Sequence, residues 1–211
     1  MKLNIISDLH KHQKRCYLGR MINDKPDCMV VARKFEKEFF DGARCYGYGG
    51  YVYDGRWIPI AKKLIDQYSL TKDSRILDIG CGMGHLLYEI DKLIKCSVSG
   101  CEISDYALNN MLVRNKFKFD FNKDKLKDNY DLILCINTLH NLILPNLKTA
   151  LQTISDHAKQ SYIVVESYRN EQELFNLQCW SLTAEQFLRP EEWEFLFTEW
   201  GYHGSYEFIY F

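Results

Sequence analysis

The sequence lacks several features that would each name a class of protein. No apolar run approaches the roughly 18–20 residues of a membrane-spanning helix, and no apolar core behind basic residues marks a secretory leader at its start. Neither sign of charge dominates: 27 lysines and arginines face 28 aspartates and glutamates, scattered along the chain, which argues against a nucleic-acid or anionic-membrane footprint. The four prolines are too dispersed to mark a linker, and no internal repeat is visible. Eight cysteines are present, yet they stand singly and form no CxxC pair for zinc. Several, such as Cys96, Cys101 and Cys135, lie in apolar runs where a thiol behaves as a small hydrophobe. These absences lead to the expectation of a cytoplasmic, metal-free protein with reduced thiols and a small-molecule substrate, its oligomeric state left open.

A chain of 211 residues suffices for one substantial core. Texture divides it at residue 57. Residues 1–57 read as an extension, with a charged amphipathic helix over Val30–Phe40 and then a glycine- and tyrosine-rich stretch ending at Trp57. From residue 58 to 211, buried apolar runs alternate with helix-length segments, the pattern of a doubly wound, mostly parallel α/β sheet. The strands expected are 75–79, 96–102, 117–121, 130–136 and 162–166, with one or two more after residue 204. The helices expected are 58–68, 85–92, 105–115, 146–157 and 191–200, with Ser104 capping the third.

The chemistry concentrates in Ile76-Leu-Asp-Ile-Gly-Cys-Gly-Met-Gly-His85. Gly80, Gly82 and Gly84 let bare peptide approach a ligand where a strand gives way to a helix. The spacing is G-x-G-x-G, not the G-x-G-x-x-G of dinucleotide sites, and Asp78 at the strand end would repel a pyrophosphate while welcoming an ammonium. Glu102, at the end of the next strand, is placed to accept ribose hydroxyls.

These residues resemble the class I S-adenosylmethionine-dependent methyltransferases. Asp78-Ile-Gly-Cys-Gly-Met-Gly84 resembles that family's first motif, Glu102 its ribose-binding acid, and Tyr130-Asp-Leu-Ile-Leu-Cys-Ile-Asn-Thr-Leu-His140 its fourth strand and following loop. The resemblance runs from about residue 59 to the C-terminus and implies a seven-stranded type of sheet with S-adenosylmethionine as cofactor and S-adenosylhomocysteine as product. It also implies that Ile103 packs on adenine, that Asp120 or Phe121 lies beside that ring, and that Asn137 faces the cofactor. No Asn-Pro-Pro-Tyr type motif follows the fourth strand, and Asn137-Thr-Leu-His140 looks more like the small-molecule enzymes.

The acceptor site is expected at the ends of the fourth and fifth strands. His140 and Glu166 are the candidate catalytic groups there, although a histidine in such a loop also serves as a packing residue. Tyr168 and Arg169 are candidate substrate contacts. The aromatic stretch is expected to fold over the site as a lid, with Arg56 and Tyr46 toward the cofactor and Tyr48, Tyr53 and Trp57 toward the substrate. Packing of the extension on the domain is the alternative for those rings. Two other readings remain: a non-catalytic module that binds S-adenosylmethionine, and a nicotinamide-dependent oxidoreductase. A metallophosphoesterase reading of Asp8 and His10 fails because the family's remaining ligand motifs are absent.

Overall fold

The computed structural model describes residues 1–7, 9 and 15–211, and the Asp8 and His10 pair lies outside the described residues. Among the described residues the strands are β1 (Arg75–Ile79), β2 (Ser97–Glu102), β3 (Lys116–Lys118), β4 (Tyr130–Ile136), β5 (Ala158–Glu166) and β6 (Ser205–Ile209). They form one sheet in the order β3-β2-β1-β4-β5-β6, every neighbouring pair parallel. Each central strand is apolar on both sides because successive side chains enter opposite layers. Ile76 and Leu132 join one buried cluster with Leu87 and Leu64, whereas Leu77 and Ile133 join the other with Trp193 and Phe208.

From residue 15 onward the α-helices are α1 (Tyr17–Ile22), α2 (Lys25–Ala32), α3 (Lys37–Asp41), α4 (Ile58–Tyr68), α5 (His85–Ile94), α6 (Asp105–Asn109), α7 (Leu144–His157), α8 (Glu171–Trp180) and α9 (Pro190–Glu199). The doubly wound α/β architecture expected from the sequence is present, with six strands in place of a seven-stranded type. The chain reaches β6 by crossing over through α9 and not by a hairpin, so β6 runs parallel to β5. The N-terminal residues take β6's outer edge: Leu3 N donates to Tyr206 O at 2.8 Å and Tyr206 N to Met1 O at 3.0 Å.

Four local expectations need correction. The helix expected over Val30–Phe40 is broken between Ala32 and Lys37, where Phe35 adopts φ 52°. The break turns the chain so that Phe40 is buried against Met83 and Ala107. The helix after Ser104 stops at Asn109, since Met111 and Val113 drop into the core beside Gly84. Strand β3 ends at Lys118 because Asp120 begins a turn, accepting from Asn122 N through its own carboxylate at 2.9 Å. Helix α8 was not expected; Asn170 caps it, its side chain accepting from Glu173 N at 3.0 Å.

The extension shares the domain's core. Ile5 and Ile6 lie in the same cluster as Leu64 and Tyr162, and Lys25 reaches the carbonyls of Gln178 and Cys179 at the end of α8. Glu207, only 2% exposed, accepts backbone N–H groups from Ile5, Ile6 and Ser7 and the hydroxyl of Tyr162. All eight cysteines are free, and no described helix is long and apolar enough to cross a membrane.

Candidate functional site

From β1 the sheet is wound in one direction toward β3 and in the other, starting at β4, toward β6. Such a reversal opens a crevice beyond the strands' carboxyl ends. A cavity of about 510 Å³ occupies it, within the range of small-ligand sites.

The glycine loop forms its floor. Gly80 and Gly82 have φ of 75° and 56°, and a side chain on either would collide: a Cβ at 80 would lie 2.2 Å from Thr138 Oγ1, and one at 82 would lie 2.9 Å from the Tyr51 hydroxyl. Asp78 is 4% exposed, and its Oδ1 has no hydrogen-bond partner among the described residues. Burial, and then the charge of Glu102, push its carboxyl well above the usual range. Glu102 is better supplied, accepting from Gly82 N at 2.9 Å, Ile103 N at 2.8 Å and Ser104 N at 3.2 Å. These donors work against the rise that burial imposes on its pKa. A carboxylate has about four lone-pair sites, so Glu102 keeps one for a ligand. An unpartnered buried oxygen beside bare peptide fits a bound ammonium, and hence the cofactor implied by the resemblance.

Ile103, Asp120 and Phe121 line the neighbouring end of the cavity. Phe121 is buried, Ile103 is open to the cavity, and Asp120 is tied to its own turn and to Lys123 at 3.3 Å. At the tip of β4, Asn137 holds φ 56°, a conformation that strains a residue with a side chain. Its Oδ1 is buried without a partner among the described residues, as is Oδ1 of Asn141.

His140 and Glu166 meet beside these amides. Glu166 N donates to His140 Nδ1 at 3.3 Å, and His140 Nε2 lies 3.6 Å from Glu166 Oε2. The tautomer assigned from these contacts therefore carries its proton on Nε2. Burial lowers the pKa of His140 while the Glu166 charge opposes it, so the ring is neutral at pH 7. Glu166 Oε2 accepts no hydrogen bond among the described residues and lines the cavity.

The roof comes from the extension and from the segment after α8. Tyr51 lies over Gly82 and stacks on His85 at 4.9 Å, while Tyr48 packs edge-on to it at 4.7 Å. The Tyr48 hydroxyl is surrounded by protein although nearly half the residue is exposed; desolvation and the charges of Glu102 and Glu166 push it up to about 12. Trp57 and Arg56 reach the lining. Arg56, however, grips Asp54 with contacts of 2.6 to 2.9 Å.

Five residues singled out in the sequence lie off the lining. Gly84 sits against Met111, behind the loop. Tyr46 packs with Cys28, Ala32 and Leu182. Tyr53 donates to Glu89 and leans on Tyr88, fastening the extension to α5. Tyr168 lies under Arg189, and Arg169 is paired with Glu173 over the Tyr210 ring. Conversely, Tyr51, Asn141, Arg20, Arg44 and Trp180 line the cavity without having been singled out. Of these, Tyr51 alone stood within the aromatic stretch already suspected of covering the site. Among the described residues no cluster of His, Cys, Asp and Glu could hold a metal ion.

The family profile described as "Methyltransferase domain" matches residues 53–211. No curated protein matches the chain. A SAM-dependent methyltransferase from Archaeoglobus fulgidus has the same fold, with TM-score 0.54 and 23% identity over 71% of this chain and 70% of that one. The YcgJ protein of Bacillus subtilis gives 0.53 and 15%, covering 66% of each chain. A SAM-dependent methyltransferase from Clostridium acetobutylicum gives 0.44 and 20%, covering 52% of this chain and 47% of that one.

Proposed function

The chain belongs to the class I S-adenosylmethionine-dependent methyltransferases, and we propose that it methylates a nucleophilic oxygen or nitrogen of a small molecule held between Glu166 and the roof. One observation carries the reading: two buried carboxylate oxygens, Asp78 Oδ1 and Glu166 Oε2, stand without hydrogen bonds on the wall of a single cavity. S-adenosylmethionine, when bound, supplies a methyl group already activated by a sulfonium charge.

The residues divide the remaining work. Asp78 and the peptide groups of the glycine loop hold the cofactor's amino-acid end, Glu102 its ribose hydroxyls, and Ile103 with Phe121 the adenine. Asn137 and Asn141 offer carbonyl oxygens to the reacting region. Glu166 takes the acceptor's proton, since it is the carboxylate in the cavity that accepts no hydrogen bond and stands beside a neutral imidazole. His140 acts through Glu166: with Nδ1 held by the backbone, its Nε2–H faces Oε2 and orients it. Positioning supplies much of the barrier reduction in such a displacement, so a modest base suffices.

The test is transfer of labelled methyl from S-adenosylmethionine into the small-molecule fraction of a cell extract. The wild type is expected to label that fraction, and Glu166→Gln to be slower by about 100-fold or more with unchanged S-adenosylhomocysteine affinity. Label found only in protein or nucleic acid would overturn the acceptor class. An undiminished rate in Glu166→Gln would remove the base.

A further inference from the structure

The roof carries cations opposite the carboxylates of the floor. Arg20 and Arg44 lie over the ring of Trp180, 4.5 and 4.9 Å from its centroid, and Arg15 lies over it at 5.4 Å. All four residues line the cavity. Stacking on an aromatic face leaves the in-plane N–H edges of a guanidinium directed outward.

Ordinarily such arginines find carboxylates. Here Arg20 donates Nε to Trp180 O at 2.9 Å and Nη1 to Arg44 O at 2.8 Å, and Arg44 donates Nη1 to Gly47 O. Among the described residues, neither pairs with a carboxylate. Each guanidinium has five donors, so these carbonyls fix both groups without neutralising or saturating them. Desolvation and the neighbouring Arg44 charge lower Arg20 to about 10, and desolvation and Arg15 lower Arg44. The fold thus holds two like charges side by side, Arg20 half-buried and Arg44 more open to solvent, an arrangement that an anion would relieve.

We infer that Arg20 and Arg44, backed by Trp180, bind a phosphoryl group carried by the methyl acceptor. Two adjacent guanidinium groups match the double charge of a phosphate ester or a diphosphate, whereas a carboxylate would balance only one. The inference rests on the methyl-transfer reading and names its substrate class.

The experiment is calorimetry on the full chain at low ionic strength, with and without saturating S-adenosylhomocysteine. The probes are inorganic phosphate, standing for a phosphate ester, pyrophosphate, standing for a diphosphate, and acetate as a monoanion. Phosphate or pyrophosphate is expected to bind at least tenfold more tightly than acetate, and the stronger of the two indicates which acceptor is used. Arg44→Gln should weaken that binding at least tenfold and Arg44→Lys by less, with melting temperature and S-adenosylhomocysteine affinity held near wild type. If Arg44→Gln is poorly folded, Arg44→Lys carries the comparison, and the wild-type preference over acetate stands as an independent reading. Absence of saturable phosphate and pyrophosphate binding overturns the inference. So does a matching loss of S-adenosylhomocysteine affinity in the variants, which would assign the arginines to the cofactor's carboxylate. Failure of the wild type to bind S-adenosylhomocysteine, with phosphoryl binding intact, would instead overturn the methyl-transfer reading.

Discussion

On the floor of the cavity Asp78 and Glu102 bring carboxylates to the ends of the adjacent strands β1 and β2, and Glu166 brings one to the end of β5 beyond β4, while the roof brings the guanidinium groups of Arg20 and Arg44 over Trp180. The floor is rigid by construction, since its acids end strands bonded on both sides. The roof is tied down at a few points: Lys25 to the end of α8, Arg20 to Trp180 O, and Ile5 to Ser7 on Glu207. On the proposed reading a cationic cofactor goes with the first wall and an anionic acceptor with the second, so that their separation gives each ligand its own electrostatic address. The two walls also differ in what would disturb them.

The largest expected effect comes from unpinning the start of the roof from β6. Glu207→Ala leaves three backbone N–H groups and the Tyr162 hydroxyl without their acceptor. A loss of about 2–4 kcal/mol follows from such unsatisfied groups, or a fall in melting temperature of about 5–15 °C for a chain of this size. Hydrogen exchange should accelerate first at residues 5–7, while S-adenosylhomocysteine affinity changes less than the melting temperature implies. Equal loss on both counts would mean that floor and roof are one cooperative unit.

Asp78→Asn attacks the floor. Cofactor affinity is expected to fall by about 1–3 kcal/mol, the value of a hydrogen bond to a charged group, as read by calorimetry. Stability should move the other way. Folding raises the pKa of this carboxyl above its unfolded value of about 3.9, so the folded state binds its proton more tightly. The wild type without cofactor therefore loses stability as pH rises from about 4 through the raised value. Asp78→Asn should flatten that part of the curve and melt higher at neutral pH; a profile unchanged by the substitution would show that Asp78 is compensated in solution.

A smaller effect is expected where the walls meet. His140→Phe removes the Nε2–H that faces Glu166 and should slow turnover by about tenfold. It should lower kcat while changing the acceptor's KM little, because His140 lines up Glu166 and does not hold the acceptor. An unchanged kcat with only the melting temperature lowered would mean that His140 only fills space.

The contrast between the walls also explains what could be read from the sequence. Nearly every floor residue sits in or directly after a strand whose pattern is local, so Asp78, Gly80, Gly82, Glu102 and Asn137 are placed by adjacency in the chain. Roof residues are brought together by tertiary contacts: Arg20 and Trp180 are 160 positions apart. Of the tyrosines in the extension, the one that reaches Gly82 is chosen by the turn at Gly49 and Gly50, with φ of 70° and 115°. Helix α8 did leave a signal, the Asn170 to Glu173 cap, but its exposed Phe175 blurs the amphipathic pattern that would have marked its length. The direction of β6 had no local signal, because an edge strand's period is the same whichever way it runs.

Arg56 supplies the smallest expected effect and the sharpest check on where the walls divide. Its position before α4 suggests a grip on the cofactor's carboxylate, and it does reach the cavity lining. Yet its guanidinium closes on Asp54, and that partner is held down to about 2 by the contact. Both side chains remain about half exposed, and exposed pairs contribute only about 0–1 kcal/mol. Arg56→Ala is therefore expected to change S-adenosylhomocysteine affinity by less than about threefold and to leave phosphate binding intact. A loss beyond tenfold in cofactor affinity would show that Arg56 abandons Asp54 when the site fills, and would extend the cationic roof down to the cofactor itself.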